Sequence, residues 1–173
     1  RVVCAELLEV HRVEGPAKGA DEPEHEAEDD VRGERDPFGR FEDREGAVWV
    51  GTNCGGVSRI HGGKVRTYTT RDGLSGDCVW SLCEDRDGAL WIGTWGAGLT
   101  RLAGGEASTL TRADGLPDDT ILALYSTRDG AVWAGTHGGG LCRIGDGAIQ
   151  VFGVRDGLPD GDVRAILEGS DGT

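Results

Sequence analysis

Long apolar runs are missing from this 173-residue sequence. No stretch approaches the roughly 18 apolar residues of a membrane-spanning helix. The apolar start, residues 1–8, is too short and too interrupted for a signal peptide. We therefore expect any membrane anchor or export signal to lie outside these residues.

Positive charge is also scarce. The sequence has 18 Lys and Arg residues against 31 Asp and Glu residues, which gives a formal net charge of −13. Residues 1–42 alone carry −7. Because the phosphates of nucleic acids need basic patches, the composition argues against a nucleic-acid partner.

Motifs for catalysis or cofactor binding are missing as well. None of the four histidines has a second His or Cys at the spacing of a zinc site. The glycine-rich segments 96–98 and 138–140 lack the Lys-Thr or Lys-Ser pair and the helix of a phosphate-binding loop. We expect no catalytic residue, no metal site and no cofactor.

Cysteine is sparse and irregularly placed. The five cysteines are Cys4, Cys54, Cys78, Cys83 and Cys142. They fall at unrelated positions, and their number is odd. We interpret them as small buried apolar side chains, in which case they do not indicate the redox compartment.

Glycine, in contrast, is abundant at 31 residues, and it marks a repeat. The segment Gly-Ala-Leu-Trp-Ile-Gly-Thr at 88–94 has close copies at 46–52 and 130–136. The tryptophans of successive copies are 42 residues apart. A fixed period of this size is typical of solenoids, propellers and arrays.

The repeat predicts strands. Three units align without a gap: residues 43–84, 85–126 and 127–168. Twelve columns are identical in all three units. Around the middle unit, turns rich in Asp-Gly and Gly-Gly separate four strand-like segments: 78–84, 89–94, 98–102 and 106–111. We predict an all-β fold of three consecutive four-stranded antiparallel propeller blades, with a fourth beginning at 169–173.

Two recurring columns have a structural interpretation. We expect Trp49, Trp91 and Trp133 to be buried between or beside blades, since each provides one large plate. A recurring arginine, Arg101 in the middle unit, accompanies an acidic column in the turn before the second strand. That column comprises Glu45, Asp87 and Asp129. We expect an ion pair between the two columns within each blade.

Residues 1–42 lie outside the repeat. Residues 14–35 hold almost no large apolar side chain and include an acidic run at 21–30. Like charges this close repel one another, and little apolar surface is available to offset the entropy of ordering. We therefore predict that residues 1–42 are an acidic, disordered linker or a degenerate region.

The motifs now resemble a known family. Gly-x-Leu-Trp-Ile-Gly-Thr, Gly-x-Gly-Leu-x-Arg-Leu and Asp-Gly-Leu-Pro resemble the two-component regulator propeller repeat. The resemblance covers residues 43–168, and its first copy departs by having Ser75 in place of the proline. It implies a larger, usually seven-bladed propeller that serves as the periplasmic or extracytoplasmic sensor of hybrid histidine kinases. A signalling output domain would then lie outside these residues.

A binding face is predicted where the copies differ. Because identical columns maintain the blade, ligand contacts are expected at variable columns on a shared face near the central channel. The six candidates are Asn53, Trp95 and His137 after the second strand and Asp77, Asp119 and Asp162 in the blade connections. An aromatic plate beside amide, imidazole and carboxylate groups favours a polar ligand such as an oligosaccharide. The alternative is that these are ordinary exposed loop residues.

Two functions remain open at this stage. The first is a non-catalytic sensor module that binds a small molecule or an oligosaccharide and signals to a partner domain. The second is a metal-assisted lyase of the streptogramin lyase type, a seven-bladed propeller that is similar in repeat. The lyase needs a histidine and acidic residues in the channel, and only His137 is placed for it. Three blades alone leave two apolar faces uncovered, so we expect them to be marginally stable or to associate, for example as a dimer.

Overall fold

The computed structural model describes residues 5–6 and 40–169, and the structural statements below concern these residues. The chain forms three sheets of four consecutive strands each, and a short strand, β1 (Ala5–Glu6), is added as a fifth strand to the second sheet. Blade 1 contains β2 (Arg40–Glu42), β3 (Val48–Gly51), β4 (Val57–His61) and β5 (Lys64–Tyr68). Blade 2 contains β6 (Val79–Glu84), β7 (Leu90–Thr94), β8 (Leu99–Ala103) and β9 (Glu106–Leu110). Blade 3 contains β10 (Ile121–Ser126), β11 (Val132–Thr136), β12 (Leu141–Gly145) and β13 (Ala148–Phe152).

Each blade is an antiparallel meander in which neighbours in sequence are neighbours in the sheet. The tryptophan strand is second in each blade; in blade 2, Trp91 lies opposite Cys83 on β6 and Arg101 on β8. The hairpin turns contain glycines with positive φ, such as Gly88 at 84° and Gly105 at 91°. That backbone conformation is open to glycine without steric cost. The predicted all-β architecture of four-stranded antiparallel blades is confirmed.

The sheets begin one strand earlier than the predicted units. β2 falls inside the predicted 1–42 linker, where Phe41 is buried in the core. β1 also falls inside it and pairs with β6, with Ala5 opposite Leu82. The linker prediction is therefore wrong for residues 5–6 and 40–42. The rest of it, residues 1–4 and 7–39, lies outside the described residues, as do residues 170–173.

The predicted four strands per unit also need a correction. The last strand of units 43–84 and 85–126 belongs to the next sheet, because a strand at the end of each unit opens the following blade. In unit 127–168 the described residues form three strands followed by a 3-10 turn. No helix in the described part of the chain is long and apolar enough to cross a membrane.

A short 3-10 turn begins the connection after each sheet. The three turns are Thr70–Asp72, Arg112–Asp114 and Val154–Asp156. In the second, the carboxylate of Asp114 accepts hydrogen bonds from the backbone N–H of Thr111 at 2.9 Å and from its hydroxyl at 3.0 Å. Gly115 follows in the left-handed region, with φ of 109°, and Leu116 is buried. The recurring Asp-Gly-Leu columns thus supply a cap, a sharp turn and a core anchor.

The hydrophobic core lies between blades. One buried cluster joins Trp49 and Tyr68 of blade 1 to Leu82 and Ile92 of blade 2. A second cluster joins residues of blade 2, including Trp91, to residues of blade 3. Each blade therefore buries its apolar face against the next one.

The tryptophan prediction holds for two of the three residues. Trp49 and Trp91 are each 6% exposed. Trp133 is only half-buried and stacks on Phe152, with ring centroids 5.6 Å apart. The reason is that Trp133 faces outward from blade 3, and no described sheet lies beyond that blade.

A carboxylate holds each buried indole. The Trp49 Nε1–H donates to Asp43 Oδ2 at 2.8 Å, and the Trp91 Nε1–H donates to Asp85 Oδ2 at the same distance. Burial alone would raise the pKa of Asp43, but the hydrogen bonds from Trp49 and from two backbone N–H groups lower it below its ordinary value. In blade 3 this position is Thr127, which makes no such bond to an indole.

The predicted arginine pairs form in two blades and differ in the third. Arg59 lies 2.7 Å from Glu45, and Arg143 lies 2.9 Å from Asp129. The expected pairing of Arg101 with Asp87 is wrong. Arg101 Nε instead lies 3.3 Å from Asp85 Oδ2, the carboxylate that also holds the indole of blade 2. That carboxylate is more buried and can be shared by both donors.

The indole–carboxylate bond should be measurable as a coupling energy. In a double-mutant cycle of Trp91→Phe and Asp85→Ala, we expect a coupling of about 1–3 kcal/mol, because either change leaves a buried polar group without its partner. Urea unfolding of the four proteins gives the number. The matched cycle of Trp133→Phe and Thr127→Ala should give a coupling near zero, and equal couplings in both cycles would contradict the assigned role of the bond.

Candidate functional site

One edge of the three blades brings two sets of loops together. The loops after the second strands (52–56, 94–98 and 136–140) lie beside the connections between blades (69–78, 111–120 and 153–163). Backbone hydrogen bonds join the two sets: the Trp95 N–H donates to the Cys78 carbonyl at 2.9 Å, and the His137 N–H donates to the Thr120 carbonyl at 3.1 Å. We call this edge the loop face.

Three ring side chains form a row on the loop face. The centroids of Trp80 and Trp95 are 5.0 Å apart. Those of Trp95 and His137 are 5.9 Å apart, with the two ring planes within 26° of each other. Trp95 is 49% exposed, so a large flat apolar surface is open to solvent. We call Trp80, Trp95 and His137 the aromatic row.

An acidic side chain closes one end of the aromatic row. Asp162 Oδ1 lies 2.9 Å from His137 Nδ1, and Arg164 Nη2 lies 3.8 Å from the other carboxylate oxygen of Asp162. The carboxylate orients the imidazole, so that Nε2 is left for another partner. The row thus ends in groups that donate and accept hydrogen bonds.

Trp80 was missed by the sequence reasoning. The ladder between β6 and β7 shifts register between Val79 and Ser81, so a bulge places Trp80 out of the regular alternation. Bulges commonly redirect a side chain in this way. A signal was available: this column holds Trp80, Leu122 and Arg164 in the three units, so it differs between the copies as the predicted binding columns do.

Two of the predicted site residues already have structural partners. Asp77 Oδ1 accepts a hydrogen bond from the Thr70 N–H at 2.7 Å. Asp119 Oδ1 accepts one from the Arg112 N–H at 2.8 Å. Both carboxylates therefore hold the 3-10 turns of the blade connections. Asn53 is exposed on the loop of blade 1.

A disulfide bond joins Cys54 and Cys78, which are 24 residues apart in the sequence. It ties the loop of blade 1 to the connection that enters blade 2, two residues before Trp80. The interpretation of all five cysteines as buried apolar side chains is therefore wrong for this pair, because repeat alignment does not reveal that two different columns meet across blades. Disulfides form in oxidising compartments.

The interpretation is correct for two other cysteines. Cys83 and Cys142 are fully buried, and burial raises the pKa of the Cys142 thiol to about 11. Cys4 lies outside the described residues. Within the described ranges, no group of three or more His, Cys, Asp or Glu side chains is placed to hold a metal ion.

The repeated sheets and their shared loop face define a β-propeller repeat protein. The family model "two component regulator propeller" matches residues 73–96 and 115–138. The two matched segments begin 42 residues apart, which is the period of the repeat. No curated protein matches the sequence.

Two solved structures of extracellular domains are also similar to this chain. The extracellular domain of the hybrid two-component system BT3049 from B. thetaiotaomicron is 29% identical, with a TM-score of 0.68 over 77% of this chain and 19% of that one. The corresponding domain of BT4673 from the same organism is 24% identical, with a TM-score of 0.58 over 73% and 20%, respectively, and supports the fold alone. This chain spans about a fifth of the length of those domains.

An enzyme structure is also similar. A catalytically inactive virginiamycin B lyase from Staphylococcus aureus, solved with quinupristin, is 25% identical, with a TM-score of 0.50 over 65% of this chain and 39% of that one. The chain is thus similar both to extracellular domains of two-component systems and, over a shorter part, to a lyase.

The disulfide should contribute measurably to stability. Reducing the bond between Cys54 and Cys78 should lower the free energy of unfolding by about 3 kcal/mol, because it releases a loop of 24 residues in the unfolded chain. Urea unfolding with and without dithiothreitol measures this difference. The Cys54→Ser, Cys78→Ser double variant is the control and should not respond to the reductant. An unchanged unfolding midpoint for the reduced parent protein would contradict the bond.

Proposed function

We propose that this chain is a non-catalytic, ligand-binding part of the extracytoplasmic sensor of a two-component or related signalling protein. The single observation that carries this proposal is the aromatic row on the loop face, in which Trp95 is half-exposed beside Trp80 and His137. A soluble protein normally buries such rings, so an exposed row is a candidate contact surface.

The chemistry of the aromatic row favours a polar, hydroxyl-rich ligand such as an oligosaccharide. An exposed indole offers a flat apolar plate for the C–H face of a sugar ring. The imidazole of His137 and the carboxylate of Asp162 offer hydrogen bonds to hydroxyl groups at the end of the row. The row thus offers two apolar rings followed by two hydrogen-bonding groups. Such a surface suits a ligand that has both apolar and polar faces.

The other predicted residues have different parts in this proposal. Asn53 lies on the loop of blade 1 and could add an amide contact to an extended ligand. Asp77 and Asp119 would act indirectly, since their carboxylates hold the connections that shape the loop face. The direct contacts are therefore assigned to Trp80, Trp95 and His137, with Asp162 as their polar end.

The cellular setting is part of the proposal. The similar domains are extracellular parts of hybrid two-component systems, and a disulfide bond is consistent with an oxidising compartment. The partners would be neighbouring blades and a signalling output domain outside these residues. A dimer of the sensor is a further expectation.

A lyase is the second candidate, and one observation favours it. The contact of 2.9 Å between His137 and Asp162 resembles the orientation of a general base by a carboxylate. The likeness to virginiamycin B lyase points in the same direction. A metal-assisted elimination would need further ligands, which the whole propeller would have to supply.

Binding to a glycan array tests the sensor proposal. We expect Trp95→Ala to weaken binding by about 1–3 kcal/mol, the usual contribution of a stacking plate. Trp80→Ala should weaken it as well, because the two rings form one surface. The control is Val65→Ala, which truncates a side chain that is 66% exposed on β5, outside the loop face, and should leave binding unchanged.

The same variants separate the two functions. His137→Phe keeps a ring in the row but removes the contact with Asp162, so a sensor should retain part of its affinity. Turnover of a streptogramin that requires added Mg²⁺ and is abolished in His137→Phe would establish the lyase instead. Glycan binding that Trp95→Ala and Trp80→Ala leave unchanged would refute the aromatic row as the binding surface.

A further inference from the structure

The disulfide of Cys54 and Cys78 acts on the backbone that carries the aromatic row. The side chain of Cys78 is bonded to the loop of blade 1, and its carbonyl accepts the Trp95 N–H at 2.9 Å. The next residue, Val79, donates its N–H to the Thr52 carbonyl at 3.3 Å. The backbone that leads into β6 is therefore held from two sides, by the loop of blade 1 and by the backbone of Trp95.

Trp80 lies directly beyond this backbone. Because the ladder between β6 and β7 shifts register between Val79 and Ser81, the ladder does not fix the direction of the Trp80 side chain by itself. The ring of Trp80 nevertheless lies 5.0 Å from that of Trp95, centroid to centroid. Both rings are therefore attached to the Cys78 peptide, Trp80 through the chain and Trp95 through a hydrogen bond.

The interface between blades 2 and 3 has neither the bond nor the pair of indoles. Gly96 and Thr120 stand there in place of the two cysteines, and Leu122 stands in place of Trp80. The His137 N–H still donates to the Thr120 carbonyl at 3.1 Å, and Leu122 is 4% exposed. The contact between loops therefore needs no covalent bond, and the disulfide occurs where a half-buried indole replaces a buried leucine.

The backbone of Cys54 indicates how the loop responds when the bond opens. Its φ is 64°, and the equivalent Gly96 and Gly138 have φ of 77° and 79°. This left-handed region is open to glycine but uncommon for other residues. Since Cys54 is also exposed, packing contributes little to its conformation. The disulfide therefore constrains Cys54 in a backbone conformation that a cysteine disfavours.

We propose that the disulfide is a positioning element for the aromatic row, and that opening it weakens the binding of a ligand that stacks on both indoles. This inference rests on the proposed function of the row as a binding surface. A dithiol opens the bond by thiol–disulfide exchange: the two sulfur atoms each gain an electron and a proton, and the dithiol becomes a cyclic disulfide. Residues 52–56 then leave the left-handed turn, the Cys78 peptide loses one of its two anchors, and the rings of Trp80 and Trp95 move apart.

Circular dichroism measures the ring pair without any ligand. Two indoles with centroids 5.0 Å apart couple their electronic transitions and give an exciton couplet in the far ultraviolet. We expect dithiothreitol to at least halve this couplet in the folded parent chain. Trp80→Phe and Trp95→Phe should each remove it, which assigns the signal to this pair. The Cys54→Ser, Cys78→Ser double variant should give the weak couplet with or without dithiothreitol.

Binding of the full chain to the glycan array gives the functional measurement. We expect reduction to weaken binding by about three- to tenfold, because the row is no longer held in its binding arrangement. The Cys54→Ser, Cys78→Ser variant should bind as weakly as the reduced parent and should not respond to dithiothreitol. If the oxidised parent binds no glycan, the proposed function fails, whereas the couplet still decides whether the disulfide positions the rings.

Two further variants separate positioning from a general loss of stability. Leu102→Ala truncates a buried side chain in the core between blades 1 and 2, away from the loop face, so it lowers stability but should keep both the couplet and its response to dithiothreitol. The Cys54→Gly, Cys78→Thr variant has the residues of the next interface and no strained cysteine. Its couplet should exceed that of the serine variant. Equal couplets in the oxidised and reduced parent, or in the two double variants, would overturn the proposal.

Discussion

The arrangement of the blades depends on one contact, the burial of a tryptophan plate between neighbouring sheets with its indole held by a carboxylate. Trp91 lies in the core between blades 2 and 3, and Asp85 accepts its N–H at 2.8 Å. The same carboxylate also accepts backbone hydrogen bonds within the turn, such as that from Ala89 at 2.9 Å. The turn, the second strand and the blade interface are therefore coupled through one side chain.

The loop face is a consequence of this stacking. Once the blades pack, the connection leaving one sheet lies beside the loop of another, and Asp77 and Asp119 secure the connections. The bulge at Trp80 and the disulfide of Cys54 and Cys78 then act on the same small area. Rings from different blades come into contact there because the backbone beneath them is fixed.

The side chains that distinguish one blade from another lie at columns that differ between the three units. The aromatic row comes from loops whose residues differ in each unit. At the interface between blades 2 and 3, Ser126 and Thr127 stand where the other copies have acidic residues. An identical column maintains the blade, whereas a changed column alters charge or shape at a position whose backbone is already determined. Each changed residue can therefore be compared with its equivalents in the other two units.

Periodicity was sufficient to predict the blades, since a period of 42 residues with Asp-Gly and Gly-Gly turns leaves few alternatives to four-stranded sheets. It also placed Trp95, His137 and Asp162 on a common face. The sequence could not predict the contacts between units: the disulfide of Cys54 and Cys78, the role of Trp80, or the pairing of Arg101 with Asp85. Local pattern specifies strands and turns because those depend on neighbouring residues. Contacts across blades depend on distances between residues far apart in sequence, and only tertiary packing sets those distances.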